Sequence, residues 1–295
     1  MKNIAVMYHY VRDNTNFKCF TTDEFRKQIE FLSKRYKIIT LSELLQNKYP
    51  NEKTCAITFD DGIKDGITNA LPILKEFNAK ASFFVSTSTL EGKKLLATQK
   101  RHILLAAIGT EQFVKEFNEA ADDYFKVVPD ERLKGKYDDV LTSSLKYVLD
   151  NMDFTESEKI LSKIFSMHFN EEEEFNKIFL SKKDIEKLKS EGMEIGTHGH
   201  KHHWLGRLYF PDQLKDMQQS VDAYKQIFGE RPRFMSYPFG SFNFFTLRIA
   251  KKLGFEAGIT TVEKPNFDLK KPLELNRYDC NGFFPRKDEK DCRYI

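Results

Sequence analysis

The stretch Cys55-Ala-Ile-Thr-Phe-Asp-Asp-Gly62 is a short apolar run that ends in two adjacent carboxylates and a glycine. A run this short and this apolar predicts a β-strand buried on both faces, the pattern of a parallel sheet covered by helices. Asp60 and Asp61 then fall at its C-terminal end, the rim where loops converge and sites are built in parallel α/β architectures. Successive side chains of a strand point to opposite faces. One site can use both acids only if the chain leaves β geometry there, and Gly62 permits that departure. Two roles are open to the pair. It can cap a helix expected at residues 67–77, or it can serve as a cation ligand beside a base for an activated water.

Strands and helices alternate on both sides of this run. Ile4 to Met7 is a first strand candidate ending at Tyr8-His9, and others cover residues 37–40, 81–85, 193–195, 234–237 and 257–260. Thr21-x-x-Glu24 and Thr40-x-x-Glu43 have the reciprocal spacing that starts a helix. Helices are also expected from Leu180 to Gly192 and from Phe244 to Leu253, the latter stopped by Gly254. The rhythm predicts an α/β fold. From about residue 90 to 179 the strands drop out. Leu141, Leu145, Val148, Leu149 and Met152 share one helical face, Thr155-x-x-Glu158 is spaced to cap the next helix, and Glu171 to Glu174 reads as a solvated loop. We therefore expect one domain over residues 1–295 with a helical insertion at about 90–179, able to shape access to the rim.

Composition narrows the partners. The net charge is +3 on 47 basic and 44 acidic residues, with no long basic run, which argues against nucleic acid or an anionic membrane. The apolar run Ile103 to Ile108 cannot span a bilayer, so no transmembrane segment is expected. The apolar residues after Lys2 are too few for a signal-peptide core. Cys19, Cys55, Cys280 and Cys292 show no CxxC spacing, so neither a disulfide framework nor a thiolate metal site is indicated. The expected compartment is cytoplasmic.

Four of the seven histidines lie in Glu194-Ile-Gly-Thr-His-Gly-His-Lys-His-His-Trp-Leu205. One turn of helix or a tight loop would bring His198 and His202 to one side, whereas an extended chain would pair His200 with His202. A lone histidine is more often a core or surface residue. Four so close together, next to Gly196 and Gly199 and set beside an Asp pair, point to a metal site.

These motifs resemble those of the polysaccharide deacetylases with a NodB homology domain (carbohydrate esterase family 4), metal-dependent enzymes that remove acetyl groups from N-acetylated sugars. Thr58-Phe-Asp-Asp-Gly62 matches their first motif, His198-x-x-x-His202 the second and Tyr237-Pro-Phe-Gly240 the third, within about residues 1–90 and 180–280. The resemblance implies a distorted (β/α) barrel of seven or eight strands and an N-acetylated sugar or oligosaccharide substrate. It implies Asp60 as the base, and Asp61, His198 and His202 as ligands of Zn2+ or of Co2+, Ni2+ or Fe2+. The Phe239 backbone N–H would support the oxyanion. No histidine follows His203, so the usual C-terminal Leu-x-His acid has no counterpart. The chain is similar instead to circularly permuted members whose first strand ends in Tyr-His, which makes His9 the general acid.

Two positions depart from the family pattern. Gly199 stands where a loop-fixing Ser or Thr is common, and Ser236 stands where many members carry an arginine that orients the base. Arg277 is the candidate replacement for that arginine. Relatives of this fold that cleave other C–N bonds, in ureides or imides, are an alternative, as is a glycan-binding protein without turnover. An intracellular glycan precursor is the expected substrate.

Overall fold

The strand expected before the two aspartates runs from Thr54 to Phe59, and every residue in it is buried. The computed structural model describes residues 3–135, 138–264 and 267–288, so Cys292 lies outside the described residues. The strands are β1 (Ile4–Tyr8), β2 (Lys37–Ile39), β3 (Thr54–Phe59), β4 (Ala81–Val85), β5 (Glu194–Thr197), β6 (Phe234–Ser236), β7 (Ala257–Ile259) and β8 (Tyr278–Asp279). They form one sheet in the order β7-β6-β5-β4-β3-β1-β8, with β2 also paired to β3. All the pairings are parallel.

A two-residue strand closes the sheet. Leu275 bridges to Ile259 of β7, while Tyr278 and Asp279 of β8 pair with Val6 and Met7 of β1. The segment 275–279 thus joins the last long strand to the first, and the result is a distorted α/β barrel. Strand β8 escaped the sequence reading because two residues carry no periodicity.

The alternation of each strand divides its side chains. Cys55, Ile57 and Phe59 of β3 pack with Val6, Tyr8 and Phe83 and with residues of the helices α1 (Thr22–Ser33), α3 (Leu71–Glu76) and α9 (Lys182–Ser190). Ala56 belongs to a second cluster with Ala5, Phe84, Phe234, Ala257, Ile259 and Leu275. Large rings from some strands face small residues on others, as a narrow parallel barrel requires. A Cβ on Gly196 would lie 2.6 Å from the Phe234 carbonyl oxygen and 2.7 Å from the Phe84 ring.

Local signals set most helix starts. Thr21 and Thr40 cap α1 and α2 (Leu41–Leu45) through complete capping boxes, and Ser181 with Asp184 does the same for α9. The helix expected at residues 67–77 is instead a π-helical turn, Gly66–Ala70, running into α3. Asp60 and Asp61 are therefore not its caps. A short α4 (Ser88–Glu91) follows β4, and α10 (Phe210–Phe228) and α11 (Phe244–Lys252) flank β6.

The chain divides into two compact units, Met1–Asp13 with Cys19–Gly92 and Asn176–Ile295, and Asn14–Lys18 with Lys93–Phe175. The first contains the whole sheet. The second is helical, built on α5 (Ala97–Ala120), α6 (Val140–Asn151), α7 (Phe154–His168) and the start of α8 (Glu171–Ile178). Two local expectations fail in it. Helix α7 starts earlier, capped by Asp153 rather than Thr155. Glu171 to Glu174 form the first turn of α8, where acidic groups favour the positive end of the helix dipole. No helix among the described residues is long and apolar enough to cross a membrane.

The close approach at β5 makes a stability prediction. Gly196→Ala should destabilise the protein by about 1–3 kcal/mol, the usual cost of overpacking a filled core. Gly282→Ala, where a new Cβ meets nothing within 4 Å, should stay within about 0.5 kcal/mol of the parent. Urea unfolding midpoints of the two variants check both values.

Candidate metal centre

Asp60 and Asp61 both reach the site around His198, 3.9 and 3.4 Å from its Nε2, because the chain breaks from β geometry at once. Asp61 has φ 69° and Gly62 has φ 67°, so the turn begins one residue before the glycine expected to allow it. Both carboxylates are 2% exposed. Two adjacent buried anions require cationic or hydrogen-bonding partners, and each acid has its own set.

Asp60 faces Arg277. The guanidinium donates from Nη1 to Oδ1 at 2.8 Å and from Nη2 to Oδ2 at 2.6 Å, a bidentate pair. Arg277 is 1% exposed and is itself fixed by Nε–H to the Thr260 carbonyl at 3.1 Å, Nη1 to Thr58 Oγ1 at 3.3 Å and Nη2 to Ser236 Oγ at 3.0 Å. Ser236 passes its own proton on to Asp60 Oδ2 at 3.2 Å. Burial alone would raise the Asp60 carboxyl, but Arg277, His198 and His9 outweigh it and hold the group below the usual carboxylate range.

Asp61 faces the histidines. Its Oδ1 lies 3.4 Å from His198 Nε2 and 3.1 Å from His202 Nε2. The three donor atoms all lie within 4.8 Å of one another. The His198 Nδ1 sits 2.8 Å from the Ser236 carbonyl, which can only accept, so Nδ1 carries a proton and Nε2 points toward the carboxylates. Burial pushes His198 down, yet Asp60 and Asp61 reverse this and raise it, while for His202 burial wins and the imidazole is lowered. Burial would also raise Asp61, but the two imidazoles hold it well below its ordinary value. Two imidazole nitrogens and one carboxylate oxygen converging in a buried space match the donor set of Zn2+ and related divalent ions, with positions left for exchangeable ligands. The fit of the residues to a metal rests on that convergence.

The remaining predicted residues lie on the same rim. His9 follows β1 directly and is half-buried. The Asp60 N–H donates to the Tyr8 carbonyl at 3.0 Å, which sets the end of β1 beside the pair, and His9 is near enough to help lower both carboxylates. Phe239, in the turn after β6, has φ 57°, with its ring 4.5 Å from that of His202 and stacked at 4.1 Å on Trp204. Among the described residues, the non-glycine residues with positive φ are three asparagines together with Asp61, His202 and Phe239. Asparagine tolerates this region, but the other three hold it against a steric cost, and strain of this kind gathers at functional sites.

Two other histidines of the cluster turn away. His200 Nδ1 pairs with Thr87 Oγ1 at 3.0 Å, and His203 Nδ1 lies 3.2 Å from Asp216. Asp216, absent from the sequence reading, also accepts from the His200 and Lys201 N–H groups at 2.9 and 3.1 Å. A signal for it existed, since an aspartate sits among Gln213, Met217, Ser220 and Val221 on the buried face of an amphipathic helix.

The Asp60–Arg277 pair makes a prediction. Arg277→Leu strands a buried carboxylate and should cost about 3–5 kcal/mol of folding stability, whereas replacing both partners with Leu should cost less than the single change. Denaturant unfolding of the single and double variants reads the difference.

Three comparisons place the chain among known proteins. The family model for polysaccharide deacetylases matches residues 47–126 and 137–258, which include Asp60, Asp61, His198, His202 and Phe239 but neither His9 nor Arg277. The Bacillus subtilis (strain 168) protein YxkH, which carries a polysaccharide deacetylase name, is 23% identical over 261 residues, 87% of this chain. The chain spans 63% of the length of that curated relative. Among solved structures, the Streptococcus pyogenes deacetylase PplD in complex with acetate superposes with TM-score 0.61 at 21% identity, covering 99% of this chain and 96% of its own. IcaB from Ammonifex degensii gives TM-score 0.61 at 16% identity, covering 94% and 91%. At these identities the two structures show a shared fold. The family match spans most of the sequence, including the strand that ends in the two aspartates and the loop that carries the histidines, and the chain belongs to the polysaccharide deacetylase family.

Proposed function

We propose that this protein is a metal-dependent hydrolase that removes N-acetyl groups from an amino-sugar-containing glycan or glycan precursor. The observation that carries the reading is the pairing of two unlike carboxylates, one turned to two imidazoles and one locked to an arginine. Asp61, His198 and His202 are the ligands in this reading. A divalent cation held by them would supply Lewis-acid activation of a water and of the acetamide carbonyl. Zn2+ suits the donor set, as do Co2+, Ni2+ and Fe2+.

The chain's own residues perform the proton transfers. Asp60 stays ionised at neutral pH and accepts the proton of the attacking water, with Arg277 and Ser236 fixing its two oxygens so that it does not rotate away. The oxyanion that forms as the carbonyl carbon gains its C–O bond is supported by the Phe239 N–H, whose direction is set by the strained turn and the Trp204 stack. His9 gives its proton to the amine nitrogen as the C–N bond breaks, leaving acetate and a free amino sugar. A cytoplasmic setting is part of this reading.

Acetate release from free, nucleotide-linked, lipid-linked and polymeric N-acetyl sugars tests the reading. Release from at least one class is expected, and it should disappear in Asp60→Asn. A zinc-loaded protein that frees no acetate from any of them would sink the proposal. Replacing Asp61, His198 or His202 with Ala should abolish tight metal retention, measured by elemental analysis after dialysis, while His203→Ala should keep its metal. His9→Ala should keep fold and metal but lose about 10²–10⁴ in turnover, the typical worth of general-acid help; near-parental acetate release would remove His9 from the mechanism.

A further inference from the structure

The loop that carries His198 and His202 is held from outside itself. An extended chain would separate residues four apart by about 13 Å, yet the two rings lie 4.8 Å centroid to centroid. Gly199 (φ 69°) and His202 (φ 59°) turn the chain back. A residue with a Cβ resists that conformation, so the surroundings must impose it at His202.

The carbonyls of the turn are bonded by the segment after β4. Ser86 Oγ donates to the His198 carbonyl at 3.0 Å, and the Thr87 and Ser88 N–H groups donate to Gly199 and His200 at 3.1 Å each. Its N–H groups converge on one side chain. Asp216 of α10, 4% exposed, accepts from His200 N–H at 2.9 Å through Oδ1 and from Lys201 N–H at 3.1 Å through Oδ2, with His203 Nδ1 at 3.2 Å from the same Oδ2. Consecutive N–H groups closing on a carboxylate form an anion nest, and hydrogen bonds to an ionised acceptor are about twice as strong as neutral ones.

We infer that Asp216 is the positioning residue of the candidate metal centre, setting its affinity by holding residues 199–203 in the turn that brings His202 to Asp61. Its bonds go to the loop and not to the three donor atoms, so it acts through His202. Gly199 is the other half of the device. A Cβ there would stand 3.1 Å from Asp216 Oδ1 and 3.3 Å from Pro238 Cγ, so the carboxylate occupies the space a side chain at 199 would need. A side chain at that position would crowd the Asp216 carboxylate, and the anchor comes from α10 instead.

The inference rests on the metal reading above. Its test is a titration of Zn2+ alone into the metal-free full chain, read by competition with a chromophoric chelator, for the parent and Asp216→Asn. The melting temperature of each metal-free protein is recorded alongside. Asp216→Asn should raise the Kd for Zn2+ by about 10–100-fold, the range for residues that orient metal ligands. A variant that melts lower but binds Zn2+ like the parent would make Asp216 merely structural and overturn the inference. Asp216→Ser, which keeps only one short acceptor for the loop, gives the same test should Asp216→Asn fail to fold: weaker Zn2+ binding supports the inference and parental affinity overturns it. A parent protein that takes up no Zn2+ would overturn the metal reading and the inference together, a result distinct from loss confined to the variants.

Discussion

Two neighbouring carboxylates buried at the end of one strand are the constraint on which the rest of this structure depends. Left alone, either charge would cost several kcal/mol to keep out of water. The fold compensates them separately. Asp60 receives a guanidinium from the segment that closes the barrel, and Asp61 receives two imidazoles from the loop after β5. Barrel closure and charge compensation are thus coupled, because the residues that join β7 to β1 also carry Arg277 between them.

Backbone strain is the second cost of the arrangement. Asp61, His202 and Phe239 each occupy the left-handed region without being glycine or asparagine, and each ends a strand or follows one closely on the same rim. Their side chains meet: the Asp61 carboxylate at His202, the His202 ring at Phe239, the Phe239 ring on Trp204. Such conformations persist when neighbours over-determine them. Here the neighbours are the Asp216 nest under the histidine loop, the ring stack beside it and the packing of Gly62 against Val85. Preorganisation of this kind holds the two imidazoles and both carboxylates in place.

Much of this was legible in the residues. A fully apolar run, capping boxes with their three-residue spacing and the alternation of strand with helix are local patterns, and local patterns fixed the α/β class, seven of the eight strands and the starts of α1, α2 and α9. Residue chemistry singled out Asp60, Asp61, His198 and His202. It did not choose among His198, His200 and His202 on its own, since helical and extended geometry pair them differently; the two positive-φ residues of the turn bring His198 and His202 together and send His200 to Thr87.

Long-range partners were beyond that reach. Arg277 came into view only because the family's arginine is missing at Ser236, not from any local pattern: it meets Asp60 across 217 positions, beside a strand of two residues too short to leave a periodic trace. Asp216 shows locally only as a charge on the apolar face of its helix, and its role exists only because α10 returns beside the loop it follows. The break at Asp61, one residue before the glycine that would permit it cheaply, is imposed by the groups its carboxylate must reach. Periodicity, capping and composition act over a few residues and so can be read from the chain; charge compensation and imposed strain depend on which distant segments the closed barrel brings together, and these took their form only when the chain folded.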